Sequence, residues 1–263
     1  MLIHLAAIGG VPGAVSARSV FMELYRADTF GVHHVSDDPE RADAVLFVDL
    51  HQQPADPLAR SLLNHPLVKR PVAPVFVYDE RDFPSLTLPG IYVSGRACWQ
   101  HRLPVLGGPY PLLHSSLTPS RRAPDLLFSF RGSPTHRVRR ALAGVRHPRG
   151  VIELCHGAGV VSAQAQDRYA ELVARSKFVL CPRGHGPSSF RIFETLAAGR
   201  VPVIISDDWL APPRLPWERC AIRVAERQVG EIPQILESFE SEWEQRASSA
   251  LAEQLSRVVA APG

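Results

Sequence analysis

Lys177-Phe-Val-Leu-Cys-Pro-Arg-Gly-His-Gly-Pro-Ser-Ser-Phe-Arg-Ile-Phe-Glu-Thr-Leu-Ala-Ala-Gly-Arg-Val-Pro-Val-Ile-Ile-Ser206 reads as strand, polar loop, helix and strand. The two apolar runs are short and β-branched, and the stretch between them carries the wider helical period. A strand, a helix and a strand in immediate succession imply parallel pairing, because the helix is the crossover that brings the chain back to the same edge. Arg191 and Glu194 stand one helical turn apart, just past the glycine and serine loop.

The same alternation extends outward. Leu2 to Ile8, Ala44 to Asp49, Pro74 to Tyr78 and Gly90 to Ser94 read as strands in the first part, and Leu126 to Phe130, Val151 to Cys155, Lys177 to Cys181 and Val201 to Ser206 in the second. Helical spacing fills Ala17 to Arg26, Pro57 to Asn64, Thr135 to Val145, Gln166 to Ser176 and Ser189 to Ala198. The fold class is α/β, with parallel sheets covered on both faces. His114 to Pro124, rich in Ser, Pro and Arg, is the expected linker. It separates a domain over 1–118 from one over 119–230. From Glu231 the chain turns helical, and Leu236, Phe239, Trp243, Leu251, Leu255 and Val258 form one apolar stripe, so 231–263 is expected to pack back on the domains. The 24 prolines, about 9% against a usual ~5%, predict stiff loops and few long helices.

Composition narrows the function. The chain has 263 residues, 29 Lys plus Arg against 26 Asp plus Glu, and a formal charge of +3. That balance suits a few phosphate contacts and excludes a nucleic-acid stripe. Lys69 and Lys177 are the only lysines. Arginine's planar fork favours bidentate phosphate or carboxylate contacts, and biased codon usage explains the excess equally well. Cys98, Cys155, Cys181 and Cys220 lie far apart and suggest reduced core thiols, with neither a zinc site nor a disulfide scaffold. Met1 to Gly10 reads as a first strand and not a signal peptide, and no apolar run approaches the roughly 20 residues of a membrane span. The expectation is a cytoplasmic protein, with peripheral membrane association open and the oligomeric state undetermined.

In parallel α/β domains ligands bind beyond the carboxyl ends of the strands. In the second half those ends carry Arg131-Gly132-Ser133, His156-Gly157, Arg183-Gly184-His185-Gly186-Pro187-Ser188-Ser189 and Ser206-Asp207-Asp208; in the first, Gly9-Gly10-Val11-Pro12-Gly13, His51-Gln52-Gln53, Asp79-Glu80-Arg81-Asp82 and Ser94-Gly95-Arg96. A cleft between facing domains would collect both rims. The Arg183 to Ser189 loop feeds a helix, so its free N–H groups and the helix dipole form an anion site that fits a diphosphate. Ser133 and Pro134, read as N-cap and first helical position, make a second one beside Arg131. Ordinary capping is the plain alternative for both. Glu194 forms no capping box with Ser189 and is placed facing the rim beside Phe190, Phe193 and Ala197. An ion pair within the helix is its plain alternative, but an arginine N-terminal to the glutamate is the weaker order. A carboxylate accepting two ribose hydroxyls, with Arg191 holding diphosphate oxygens, is the sharper reading.

Ser176-Lys-Phe-Val-Leu-Cys-Pro-Arg-Gly, Ser-Ser-Phe-Arg-Ile-Phe-Glu and Ala-Gly-Arg-Val-Pro-Val-Ile-Ile-Ser-Asp-Asp208, with Leu126-Leu-Phe-Ser-Phe-Arg-Gly-Ser133, resemble the exostosin family of glycosyltransferases. The resemblance runs from Asp125 to Asp208. It implies a GT-B fold of two Rossmann-like domains facing across a cleft, a nucleotide-diphosphate sugar donor carrying UDP, no required cofactor or metal, and inversion at the anomeric carbon. It places Arg191 on the diphosphate and Glu194 on the ribose, with Arg131, Gly132, Gly184 and Ser188 around the phosphates, to which the loop and cap reading adds Ser133, Arg183 and Ser189. Eukaryotic members carry an anchor, a stem and a longer acceptor domain, so a compact bacterial-type member acting on a glycan or glycoside is the natural reading.

An inverting transfer needs a base for the acceptor hydroxyl. Asp82 and Glu80 lead, with His51 also at these strand ends; Asp79 is as easily structural, and each taken alone reads first as a loop cap or a solvated side chain. Asp207-Asp208 lacks the Asp-x-Asp spacing of metal-binding transferases and reads as a loop cap. His156 and His185 read as solvated or as phosphate contacts. Two other readings stand beside this one. Gly9, Gly10 and Gly13 raise a dinucleotide oxidoreductase, though without Gly-x-Gly-x-x-Gly spacing. A noncatalytic exostosin-like partner would keep the fold and assist a second transferase.

Overall fold

The structure, a computed structural model, describes residues 1–8, 17–48, 55–110, 117–119, 122–155, 162–213 and 215–249. These residues form two compact units, the first holding 1–110 and 208–213 and the second the remainder.

The first unit is built on six parallel strands: β1 (Leu2–Ala6), β2 (His34–Val35), β3 (Ala44–Phe47), β4 (Val75–Asp79), β5 (Gly90–Tyr92) and β6 (Val105–Gly107), in the order β2-β1-β3-β4-β5-β6. Its helices are α1 (Ala17–Ala27), α2 (Ala55–Asn64) and α3 (Pro66–Lys69). Val45, Phe47, Val77, Tyr92 and Val105 are buried together with Leu62, and Leu67 and Val68 pack against them. α3 starts sharply because His65 accepts from the Leu67 amide and Pro66 occupies the first turn, where its missing N–H costs nothing.

The chain returns to this unit late in the sequence. Asp208 pairs with Arg96, the Ala97 amide donates to the Asp208 carbonyl at 3.0 Å, and the Leu210 amide donates to the Gly95 carbonyl at 3.0 Å. A Cβ on Gly107 would sit 2.1 Å from the Leu210 carbonyl oxygen, so only glycine lets the segment lie there. The expected 119–230 domain is therefore interrupted: residues 208–213 pack elsewhere.

The second unit holds five parallel strands, β7 (Leu126–Gly132), β8 (Gly150–Leu154), β9 (Ser176–Pro182), β10 (Val201–Ile205) and β11 (Ile222–Arg223), ordered β11-β10-β9-β7-β8. Its helices are α4 (Arg137–Ala141), α5 (Ala163–Arg175), α6 (Phe190–Ala197), α7 (Trp217–Cys220) and α8 (Ile232–Ser238), and residues 243–249 are also helical. Every residue of β10 and all of β9 except Lys177 is buried, as continuous β-branched runs require when both faces are covered. Phe128, Phe130, Phe178, Leu180, Val203 and Leu236 share the core, and Phe239 and Trp243 pack on it. The stripe positions Leu251, Leu255 and Val258 lie outside the described residues.

Both sheets are parallel α/β, as the expected fold class demands of each half. Cys181 and Cys220 are buried, Cys155 half-buried and Cys98 exposed, so the core-thiol expectation fails at Cys98. Among the described residues no helix is long and apolar enough to cross a membrane.

Candidate functional site

From β7 the second sheet grows to β8 on one side and to β9, β10 and β11 on the other. The order reverses between β7 and β9, and the carboxyl ends of such neighbouring strands open a ligand crevice. Gly132 and Ser133 follow from one strand, Arg183 and the 184–189 loop from the other.

Arg191, in the first turn of α6, is held here from three sides. Its guanidinium carbon lies 4.8 Å from the centre of the Phe130 ring and 5.4 Å from that of Tyr169, and Nη2 donates to the Arg131 carbonyl at 2.6 Å. Stacking between rings and planar hydrogen bonding are arginine's own chemistry. Its Nε is buried without a partner. Gly132 makes room for it, since a Cβ there would lie 2.9 Å from Arg191 Nη2 and 3.2 Å from the Phe130 ring.

Glu194, expected at the rim, is largely buried. It is 5% exposed and accepts a 2.8 Å hydrogen bond from the Tyr169 hydroxyl. Ile192, Glu194, Thr195 and Leu196 form the buried side of α6, while Phe190, Phe193 and Ala197 are half-buried. A partner on another helix meets it there: Tyr169 of α5 donates to Oε2 inside the fold. Burial pushes the Tyr169 phenol well above its ordinary pKa, opposed by Arg191 and reinforced by Glu194, so it stays protonated and donates.

Ser189 is the N-cap of α6, but its side chain makes no capping bond. Ser188 is 2% exposed, and its Oγ has no partner. Arg183 Nε is also buried and unpartnered, while its Nη1 lies 3.6 Å from Glu226 and its Nη2 donates to the His185 carbonyl at 3.4 Å. His185 itself is exposed.

Two expectations are corrected on the β7 side. The helix does not begin at Ser133 and Pro134; α4 starts at Arg137, capped by His136 Nδ1, which accepts from the Val138 amide at 3.4 Å. The Ser133 carbonyl instead serves the Thr135 amide and Arg139. Arg131 does not offer its guanidinium to the crevice either, because Glu153 takes it and accepts from Arg168 as well.

The sequence reading missed Arg139. Its Nε donates to the Arg183 carbonyl at 2.9 Å, Nη1 to the Ser133 carbonyl at 3.3 Å and Nη2 to the Pro182 carbonyl at 3.3 Å. Within Arg137-Val-Arg-Arg it looks like one charge of a solvated helix face. Tyr169 and Phe130 were missed too, since a tyrosine in an amphipathic helix and a phenylalanine in a strand announce only burial.

In the first unit Asp79 is 1% exposed and accepts from Arg81 through its amide at 3.0 Å, Nε at 2.9 Å and Nη2 at 2.5 Å. That carboxylate is structural. Glu80 is half-buried and Asp82 exposed, just past β4. His51 lies outside the described residues, as do Gly9, Gly10, Gly13 and His156. Asp207 exchanges hydrogen bonds with Glu226, accepting from its amide at 2.9 Å. Among the described residues no group of three or more His, Cys, Asp or Glu could hold a metal ion.

The second unit is thus of the parallel α/β class, with an arginine stacked between two aromatic rings at its switch point, and comparison supplies the family. The exostosin GT47 domain matches residues 93–239, more than half of the chain, which therefore belongs to that family. An exostosin-1 homolog of Caenorhabditis elegans is 50% identical over 72 residues, 27% of this chain and 19% of that protein. A probable glucuronosyltransferase of Oryza sativa subsp. japonica is 39% identical over 95 residues, 35% of this chain and 23% of its own length. The chain thus spans about a fifth of the length of the curated relatives it matches. The solved structure of WaaG, a glycosyltransferase involved in lipopolysaccharide biosynthesis, overlaps 99% of this chain and 96% of its own at 11% identity and a TM-score of 0.37.

Proposed function

We propose that the second unit binds a nucleoside-diphosphate sugar with uridine as its base, and that the chain transfers the sugar to a hydroxyl of a glycan or glycoside in an inverting, metal-independent step. The observation that carries this reading is the set of buried donors without partners at one strand edge: Arg191 Nε, Arg183 Nε and Ser188 Oγ. Buried polar groups are nearly always satisfied, and diphosphate oxygens are acceptors of the right charge for two guanidinium groups beside an uncapped helix start. The family and its relatives' names, which include glucuronosyltransferase, support the same chemistry.

In this reading Arg191 bonds the diphosphate, with Arg183, Gly184, Ser188, Ser189 and the backbone at Gly132 around it. Glu194 accepts from the ribose while Tyr169 holds its other side. The acceptor hydroxyl gives its proton to a general base. Its oxygen bonds the anomeric carbon from the face opposite the leaving group. The bond to the diphosphate breaks, the electron pair leaves with the nucleotide, and Arg191 stabilises the charge that grows there.

Thermal unfolding with nucleotides tests this, because a ligand bound only by the folded chain raises the midpoint. Uridine diphosphate in the presence of a chelator raises the midpoint, and Arg191→Ala and Glu194→Ala abolish most of the shift. Absence of any shift, or a shift confined to nicotinamide dinucleotides, refutes donor binding. Binding with no transfer to any acceptor in a broad panel leaves donor binding intact and removes the transferase step.

A further inference from the structure

We propose that Arg139 is a positioning residue: it stitches together the ends of β7 and β9 and so sets the phosphate-binding loop against Arg191. This rests on the donor-binding reading above.

The pairing of β7 with β9 stops early. Its last register is Ser129 with Val179, whereas β7 stays paired with β8 as far as Gly132 with Leu154, and β9 with β10 as far as Pro182 with Ile205. The sheet therefore splits at the switch point, where the β7–β9 ladder does not continue past Ser129 and Val179. A split of this kind is what admits a ligand, and with no ladder across it the two ends depend on side chains for their spacing, Arg191 already reaching the Arg131 carbonyl. Arg139 supplies the missing bonds. Its five N–H donors lie in one rigid plane, and three of its nitrogens reach the Ser133 carbonyl on one side and the Pro182 and Arg183 carbonyls on the other.

Two further contacts tie this clamp to the binding residues. The guanidinium of Arg139 lies 5.9 Å from the centre of the Phe130 ring, the same ring that Arg191 stacks on at 4.8 Å. A Cβ on Gly184 would lie 3.2 Å from Arg139 Nη2, so the loop runs against the clamp closely enough to feel one added methyl group. Arg183 and Gly184 are thereby placed by a residue that needs no contact with the ligand itself.

Lysine keeps the charge of Arg139 but has one nitrogen where three are used. Titration of Arg139→Lys with uridine diphosphate and with uridine separates positioning from general structure. Affinity for the diphosphate falls about tenfold or more, while affinity for uridine, which has no phosphate, stays within about twofold. Gly184→Ala, which leaves Arg139 in place and crowds the loop, also weakens the diphosphate severalfold. Added to Arg139→Lys it costs little more, because the crowding atom is gone. The proposal is overturned by a folded Arg139→Lys that binds the diphosphate within about twofold of wild type, or by equal losses for diphosphate and uridine. If Arg139→Lys does not fold, an unchanged diphosphate affinity in Gly184→Ala overturns it alone. Wild-type protein that binds no uridine diphosphate removes the donor reading itself, and this proposal with it.

Discussion

The Tyr169 hydroxyl donates a 2.8 Å hydrogen bond to Glu194 Oε2, joining α5 to α6. Removing the donor takes one hydrogen bond from a carboxylate that is 5% exposed. Tyr169→Phe is expected to lower unfolding free energy by about 1–3 kcal/mol and to weaken nucleotide binding at the same time. Denaturant unfolding and uridine diphosphate titration on the same preparation check both.

Gly132 is where β7 passes Arg191. In Gly132→Ala the new methyl group meets Arg191 Nη2 at 2.9 Å and the Phe130 ring at 3.2 Å, so either the guanidinium leaves the Arg131 carbonyl or the ring shifts. Overpacking of this kind costs about 1–3 kcal/mol. The expected result is a protein that still folds, with a lower melting midpoint and a diphosphate affinity reduced more than its affinity for uridine.

Glu240 predicts an acid limb to the stability curve. Hydrogen bonds from Arg149, then from Lys177, hold its pKa at about 2 against an ordinary 4.5. Between those values the unfolded chain binds the proton that the folded chain refuses. The stabilisation is therefore complete above about pH 4.5 and is lost as pH falls toward about 2. Glu240→Gln removes this contribution, so its melting midpoint should vary less with pH across that window than the wild-type midpoint does.

Gly107→Ala probes the returning segment. Its Cβ would meet the carbonyl oxygen of Leu210 at 2.1 Å and that of Ala211 at 2.7 Å, backbone atoms that cannot rotate away. Residues 208–213 should detach from β6, which faster amide exchange at Leu210 would report, since its amide now donates to the Gly95 carbonyl.

Much of this architecture is legible from residue pattern. The runs at 44–47, 126–130, 177–181 and 201–205 are strands because both faces of a parallel sheet are buried, leaving few polar residues to blur the signal. β2, β6 and β11 escape notice because two or three residues, such as His34 and Val35, carry no period. The site is legible in part. Arg191 stands out by its place after a glycine and serine loop, but the orientation of Glu194 depends on Tyr169, 25 residues away. Arg139 is hidden for a related reason: its partners are carbonyls, and a main-chain acceptor leaves no trace in side-chain identity. Ser133 before Pro134 misleads because a good capping pair is only a local preference, and His136 takes the cap instead.

Because residues 208–213 belong with the first unit while 207 and 215 belong with the second, neither unit is one uninterrupted piece of the gene. A truncation after the first six strands strips Gly107 and Arg96 of the backbone they hold, and a fragment starting at β7 carries a six-residue loop whose seat has been removed. Module exchange between relatives would therefore have to carry the loop along with the first half, through two additional crossovers, for both halves to arrive whole.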